Sequence, residues 1–256
     1  MFTLERGTAP LLVSLPHDGS GIPDDIAMRM CPRARKSPDT DWHVGRLYAF
    51  ARELGASVLR PRCSRYVVDL NRPPDGHSLY PGRAGTGLVP EMMFDGTAIY
   101  LDGQAPTVDE VAARVDAWWR PYHDALAAEL ERLHREHGRV VLWEGHSIRA
   151  EVPMLFEGRL PDLNLGTADG ASCGADLQFR LAEVLAAQDD YSFVVNGRFK
   201  GGHITRHYGR PDRGIQAVQL ELAQLNYMDE ESFEYLPDRA ARVQALIRRL
   251  LVACLA

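Results

Sequence analysis

The chain has 256 residues, of which 45% are hydrophobic and 25% charged, and its formal net charge is −6. This length suffices for one large core, and the acidic balance without a long basic run excludes a protein that binds nucleic acid through a basic surface. Because no apolar run reaches the roughly 20 residues that span a bilayer, we expect no membrane partner.

The cysteines and the first residues indicate a reducing compartment. The thiols are isolated in the sequence and form no C-x-x-C pair, at Cys31, Cys63, Cys173 and Cys254. Isolated thiols in a long chain are typical of an intracellular protein rather than of a disulfide framework. The first ten residues lack a signal-peptide pattern, so we expect a cytoplasmic protein.

Short apolar runs rich in Val, Leu and Ile predict buried strands. These runs lie at residues 11–15, 56–60, 66–70, 139–143, 192–195 and 215–222. The Gly-, Pro- and Asp-rich stretches 72–106 and 150–174 predict two long loops, and loops of such length often carry function.

Helical patterns alternate with the predicted strands. The first runs over 41–54, with Thr40 as N-cap and Gly55 as stop, and the others cover 108–137, 175–187 and 237–254. This alternation predicts an α/β protein whose sheet is covered on both faces. Since no repeat or linker divides the sequence, we expect a single domain over residues 1–256.

Side chains that can bind a metal or transfer a proton follow the predicted strands. His17 comes after the first strand, His146 after the fourth, and Glu221 near the end of the last, while Asp41 begins the first long helix. Open α/β sheets bind ligands beyond the carboxyl ends of their strands. Two histidines and a carboxylate suit a catalytic zinc, and Glu221 could then accept a proton from water. Singly, Asp41 is also explained by the helix dipole and Glu221 by an arginine partner.

Two further motifs are weaker. Residues 170–174 match G-x-S-x-G, but the preceding stretch is a predicted loop, so Ser172 fits a helix N-terminus better than a nucleophile elbow. His203 and His207 have the i, i+4 spacing of metal ligands, but the segment lacks the glutamate of H-E-x-x-H and is rich in glycine. We interpret it as a substrate loop.

Several segments resemble the family of N-formylglutamate deformylases, also called N-formylglutamate amidohydrolases. They extend from near residue 11 to about residue 228, and the most specific are SRYVVDLNRP and EGHSIR. The others are SLPHDGSGIP, DTDWHVGRLY, LPDLNLGT, NGRFKGGHITRHYGRP and VQLELAQLNYM.

The resemblance implies a three-layer α/β/α sandwich on a mostly parallel mixed sheet, similar to zinc exopeptidases and zinc-dependent murein amidases. It implies one divalent metal, with zinc as first choice, held by His17, Asp41 and His146, with Glu221 as catalytic carboxylate. Asp39 remains the alternative to Asp41. The implied reaction is hydrolysis of N-formyl-L-glutamate to formate and L-glutamate, the last step of one bacterial route of histidine degradation.

A small dianionic substrate needs cationic partners, and arginine binds carboxylates with both arms of its guanidinium. The matching segments offer five candidates for substrate contacts, which are Arg65, Asn71, Arg72, Arg149 and Arg206.

Other functions stay open at this point. One is metal-dependent hydrolysis of another N-acyl amino acid or of a peptidoglycan-type amide. A second is binding of an acidic ligand without catalysis, and a third is serine hydrolysis through Ser172. Co²⁺, Mn²⁺ or Fe²⁺ could replace zinc at such ligands.

Overall fold

The computed structural model describes residues 1–77 and 85–256, which form a seven-stranded mixed sheet with helices on both faces. The strands are Phe2–Glu5 (β1), Leu11–Ser14 (β2), Ser57–Pro61 (β3), Val140–Ile148 (β4), Leu163–Gly166 (β5), Phe193–Val195 (β6) and Ile215–Ala223 (β7). Their spatial order is β1-β3-β2-β4-β7-β5-β6.

The centre of the sheet is parallel. Strands β3, β2, β4 and β7 run in one direction, and β5 pairs with β6 in parallel. The antiparallel pairs are β1 with β3 and β5 with β7. The expected α/β sandwich on a mostly parallel mixed sheet is therefore confirmed.

The α-helices of the described residues are Asp24–Ala27 (α1), Val44–Leu47 (α2), Val108–Arg114 (α3), Arg120–His137 (α4), Ala175–Ala186 (α5), His203–Tyr208 (α6) and Pro237–Leu255 (α7). A π-helical turn, Val115–Trp119, joins α3 to α4, so the predicted helix over 108–137 is confirmed as one continuous element. The predictions for α5 and α7 hold to within one residue.

Alternate side chains of the central strands enter two cores. Leu11 and Val13 pack under α2, α5 and α7, whereas Leu12 packs with α4 on the other face. This division follows from the two-residue period of a strand, and it makes the central strands apolar on both sides.

Four sequence predictions are corrected by the structure. Residues 66–70 form turns instead of a strand, because Val67 N–H bonds to the Ser64 carbonyl and Asp69 N–H to that of Leu88. The helix over 41–54 is replaced by α2 and a 3-10 helix, Ala49–Leu54, and its N-cap is His43 rather than Thr40.

The remaining corrections concern loops. The stretch 150–174 contains β5, which is short and pairs antiparallel with β7. Residues 203–208 form α6 instead of a loop. The long loop predicted at 72–106 is free of named helices and strands where it is described, and its residues 78–84 lie outside the described part.

Candidate metal centre and substrate cavity

The carboxyl edge of the parallel strands brings the predicted chemical residues together. His17 lies three residues beyond β2, while His146 and Glu221 lie on β4 and β7 in direct register. Asp41 lies on the segment that precedes α2, where its backbone N–H donates to the His17 carbonyl over 3.1 Å. Neighbouring strands and one local turn thus place four side chains at one point.

Three of these side chains form a compact group of ligand atoms. His146 Nδ1 lies 3.0 Å from Asp41 Oδ2, and His17 Nδ1 lies 3.9 Å from Asp41 Oδ1. One ligand atom from each residue lies within 4.8 Å of the others, and all three side chains are buried. This group can hold a metal ion.

The far ring nitrogen of each histidine is bonded to a buried carboxylate. His17 Nε2 lies 2.7 Å from Asp69 Oδ1, and His146 Nε2 lies 2.6 Å from Glu144 Oε1. Proteins orient metal-ligating histidines in this way, with a carboxylate holding the nitrogen that does not bind the metal. The donor set therefore fits a metal bound through both Nδ1 atoms and the Asp41 carboxylate.

The supporting carboxylates are themselves fixed. Asp69 Oδ2 accepts from Arg65 Nη2 at 2.7 Å, and Glu144 Oε2 accepts from the backbone N–H of Thr205 at 3.0 Å and from its hydroxyl. The charges of His17, Arg72 and Arg65 outweigh burial and hold the pKa of Asp69 well below its usual value. Asp69 is therefore ionised and able to orient His17.

The pKa values of the two histidines are shifted in opposite directions. Burial, aided by the charge of Arg65, lowers the pKa of His17. Burial alone would also lower the pKa of His146, but Glu144 and Asp41 outweigh it and raise that pKa well above its usual value. The difference reflects the charge of Arg65, which opposes protonation of His17, whereas Glu144 and Asp41 lie 2.6 and 3.0 Å from the His146 ring nitrogens.

Glu221 lies beside this group, opposite His146 in the strand register. It is 7% exposed, and burial raises its pKa, with the nearby Asp41 carboxylate acting in the same direction. A carboxylate with a raised pKa can accept and return a proton near neutral pH. Its position and environment suit a general base.

A cavity that opens to solvent begins at these residues. Besides the four chemical residues, its polar and cationic lining comprises Arg65, Asn71, Arg72, Ser147, Arg198 and Gln219. The apolar part of the lining comprises Phe94, Ile148, Leu155 and Phe199.

Three of the five candidate substrate residues line this cavity, namely Arg65, Asn71 and Arg72. Arg65 is buried, and its Nε atom has no hydrogen-bond partner among the described residues. The Arg72 guanidinium is held at the rim by the carbonyl and hydroxyl oxygens of Thr86, at 2.9 and 2.8 Å.

The other two arginines lie elsewhere. Arg149 pairs with Glu231 and lines a neighbouring cavity, and Arg206 donates from Nε to the Gly201 carbonyl and lines a third. Asp39 also lies away from the histidines, because its carboxylate accepts from the Tyr66 hydroxyl and the Phe94 N–H.

Sequence reasoning missed four residues that the structure brings to the centre or the cavity: Asp69, Glu144, Arg198 and Gln219. Glu144 shares a face of β4 with His146 because the two are separated by one residue, and E-x-H in a strand was a readable signal for it. Asp69 had no such signal, since it reaches His17 from a turn.

Ser172 has no role in this centre. Its hydroxyl donates to the carbonyl of Ala217 over 2.9 Å, and Ser172 lies two residues before Gly174, the N-cap of α5. His203 and His207 stack with ring centroids 5.0 Å apart, outside the group of converging ligand atoms.

Comparison with known sequences gives a consistent result. Residues 9–228 match the family described as "FGase: N-formylglutamate amidohydrolase". The N-formylglutamate deformylase of Pseudomonas aeruginosa PAO1 is 52% identical over 100% of this chain and 96% of its own length. The N-formylglutamate deformylase of Pseudomonas putida is 50% identical with the same coverage.

A solved structure has the same fold. The crystal structure of N-formylglutamate amidohydrolase from Ralstonia eutropha JMP134 superposes with a TM-score of 0.83 at 27% sequence identity. The superposition covers 98% of this chain and 96% of that one.

Proposed function

Since the chain belongs to the N-formylglutamate amidohydrolase family, we propose that it hydrolyses N-formyl-L-glutamate to formate and L-glutamate with one divalent metal ion. His17, Asp41 and His146 would hold the metal. The observation that carries the proposal is the buried group of these three residues with Glu221 in register beside it. When bound, the ion would polarise the formyl carbonyl and favour ionisation of water.

Glu221 would act as the base and then as the acid. It accepts a proton as the water oxygen forms a bond to the formyl carbon, and it returns that proton to the nitrogen as the C–N bond breaks. Formate and the free amine of glutamate then leave.

The substrate's two carboxylates would meet the arginines of the cavity. Arg65, Arg72 and Arg198 line it, and the Asn71 carboxamide adds hydrogen-bond donors. A guanidinium binds a carboxylate through two parallel hydrogen bonds, so these arginines suit an acidic amino acid better than a neutral one. The proposal gives Arg149 and Arg206 no contact with substrate, since they line other cavities.

Zinc is the metal that we propose, because two imidazoles and a carboxylate are a common zinc donor set. Metal analysis of protein purified without added metal tests this. We expect one equivalent of zinc per chain. One equivalent of iron, cobalt or manganese in its place would contradict the assignment of zinc.

The four cysteines are free thiols, which supports the proposal of a reducing, cytoplasmic location. Within residues 1–77 and 85–256, none of the helices has the length and apolarity of a membrane span.

The test of function is formate release from N-formyl-L-glutamate before and after removal of metal with a chelator. We expect activity to be lost and then restored by zinc. N-formyl-L-aspartate, N-acetyl-L-glutamate and N-formyl-L-glutamine serve as a specificity panel. Faster hydrolysis of a panel member would identify that compound as the preferred substrate. Activity that survives complete metal removal would contradict the mechanism.

A further inference from the structure

The first turn of α6 supplies hydrogen bonds to three groups around the cavity. The N–H of Gly202 donates to Gln219 Oε1 over 2.7 Å, that of Ile204 to Asn71 Oδ1 over 2.9 Å, and that of Thr205 to Glu144 Oε2 over 3.0 Å. The first N–H groups of a helix lack acceptors within the helix, so they are available for such contacts. One short helix therefore orients side chains from β4, β7 and the turn after residue 70.

These bonds determine which way each carboxamide faces. A backbone N–H can only donate, so the atom it meets must be the carboxamide oxygen and the NH₂ group must lie on the other side. Gln219 Nε2 consequently lies 3.4 Å from Glu221 Oε2. Both residues line the cavity.

Glycine at position 202 is required for this arrangement. A Cβ atom there would lie 2.2 Å from Asn71 Nδ2 and 2.5 Å from Asn71 Oδ1, which are impossible contacts. The close approach of α6 to Asn71 therefore depends on the absence of a side chain.

The Nε2 group of Gln219 has an N–H that is available to a ligand. It is 4% exposed, and across the described residues the single acceptor of its Nε2 group is Glu221 Oε2, at a long 3.4 Å. An NH₂ group carries two hydrogens, so at least one N–H remains for a ligand in the cavity. Because Gln219 lies beside the proposed base, this N–H is placed near the formyl group of the proposed substrate. The arginines of the cavity are placed to bind the substrate's carboxylates.

We infer that Gln219 donates a hydrogen bond to the formyl oxygen of the substrate as water adds to the formyl carbon. The inference rests on the proposed function. During addition the carbonyl π pair moves to the oxygen, which becomes negative, and the pair returns when the C–N bond breaks. A preoriented donor stabilises this charge more than it stabilises the neutral carbonyl, so it raises kcat rather than affinity.

The test compares Q219M with the matched control Q216M. Gln216 lies on the same strand, and its Oε1 likewise accepts a backbone N–H, that of Gly174 at 2.6 Å, but it lines a different cavity. Removal of one such donor costs about 10²-fold in kcat. For Q219M we expect this loss with KM within about threefold, and for Q216M a kcat within about twofold of wild type.

Binding of L-glutamate and metal content complete the test. Glutamate lacks the formyl group, so its dissociation constant should be the same for Q219M and wild type, and both should hold one metal ion per chain. Q219E keeps the acceptor for Gly202 N–H and loses the donor, so it should also lose about 10²-fold in kcat if Q219M fails to fold.

Three results would overturn the inference. One is a kcat of Q219M or Q219E within threefold of wild type. Another is glutamate binding that weakens by the same factor as kcat, which would assign Gln219 to carboxylate recognition. A wild-type chain that releases no formate would refute the proposed function and the inference with it, whereas the first two results leave the function intact.

Discussion

Two groups of buried histidines lie on either side of the turn at residues 69–72, in opposite surroundings. His17 and His146 each have a carboxylate at Nε2 and share Asp41 at Nδ1. His123 instead stacks on Trp119 with centroids 3.6 Å apart and bonds to the Leu70 carbonyl. His203 Nε2 is buried and has no hydrogen-bond partner in the described part of the chain.

The difference shows that burial of a histidine does not create a metal centre. Burial lowers the pKa of His123 to about 3 and that of His203 to about 4, so both rings are neutral at neutral pH. At the other group, a carboxylate contacts the Nε2 atom of each ring, and both Nδ1 atoms face the shared Asp41 carboxylate. The acidic residues, and not the histidines, distinguish the two groups.

The largest effect should come from H146A compared with H123F. Loss of a ligand removes the metal, and with it several kcal/mol of transition-state stabilisation, about 10³-fold in rate. H123F keeps the aromatic stack and should retain one metal ion per chain. Metal analysis and formate release are measured for both variants. Equal metal loss in H146A and H123F would contradict the assignment of the metal to the first group alone.

E221Q should separate metal binding from proton transfer within the first group. Removal of a general base costs about 10² to 10⁴-fold in kcat, while the three ligands remain in place. We expect full metal content and a large loss of formate release. A variant that loses its metal as well would identify Glu221 as a fourth ligand.

The supporting carboxylates should have a smaller effect. E144Q and D69N should each weaken metal affinity by about 10 to 100-fold, because the histidine loses the partner that orients it. D39N is the matched control, since Asp39 is a buried carboxylate that contacts no histidine. Zinc titration of the metal-free proteins with a competing chelator gives the affinities, and a D39N value as weak as that of E144Q would contradict the role assigned to these carboxylates.

The smallest effect concerns stability and pH. His123 has a depressed pKa in the folded state, so the unfolded chain binds its proton first as the pH falls below about 6.5, and stability is lost from there down to about pH 3. Between pH 7.5 and pH 5.0, wild type should lose about 2 kcal/mol of unfolding free energy relative to H123F. Urea unfolding at both pH values measures this, and an unchanged difference between the two proteins would show that His123 is protonated when folded.

The sequence predicted which side chains converge at the candidate metal centre, because their positions follow a general rule. His17, His146 and Glu221 lie at the carboxyl ends of central strands, which were recognisable from their apolar runs. Asp41 was placed correctly beside the histidines although the helix expected there is only Val44–Leu47.

Residues that act from turns and short elements were beyond the sequence patterns. Asp69 lies in a run, YVVDL, whose apolar residues suggested a strand but are buried in turns. Strand β5 has four residues and depends on pairing with β7, so its local pattern is weak. Gln219 lies within the predicted strand 215–222, but only its contact with Gly202 reveals the direction of its NH₂ group.

The most direct test is an anomalous difference map of zinc-loaded crystals collected at the zinc absorption edge. We predict one strong peak within bonding distance of Nδ1 of His17, Nδ1 of His146 and the Asp41 carboxylate. A peak at His203 or His207, or coordination through the Nε2 atoms of the first pair, would contradict the account.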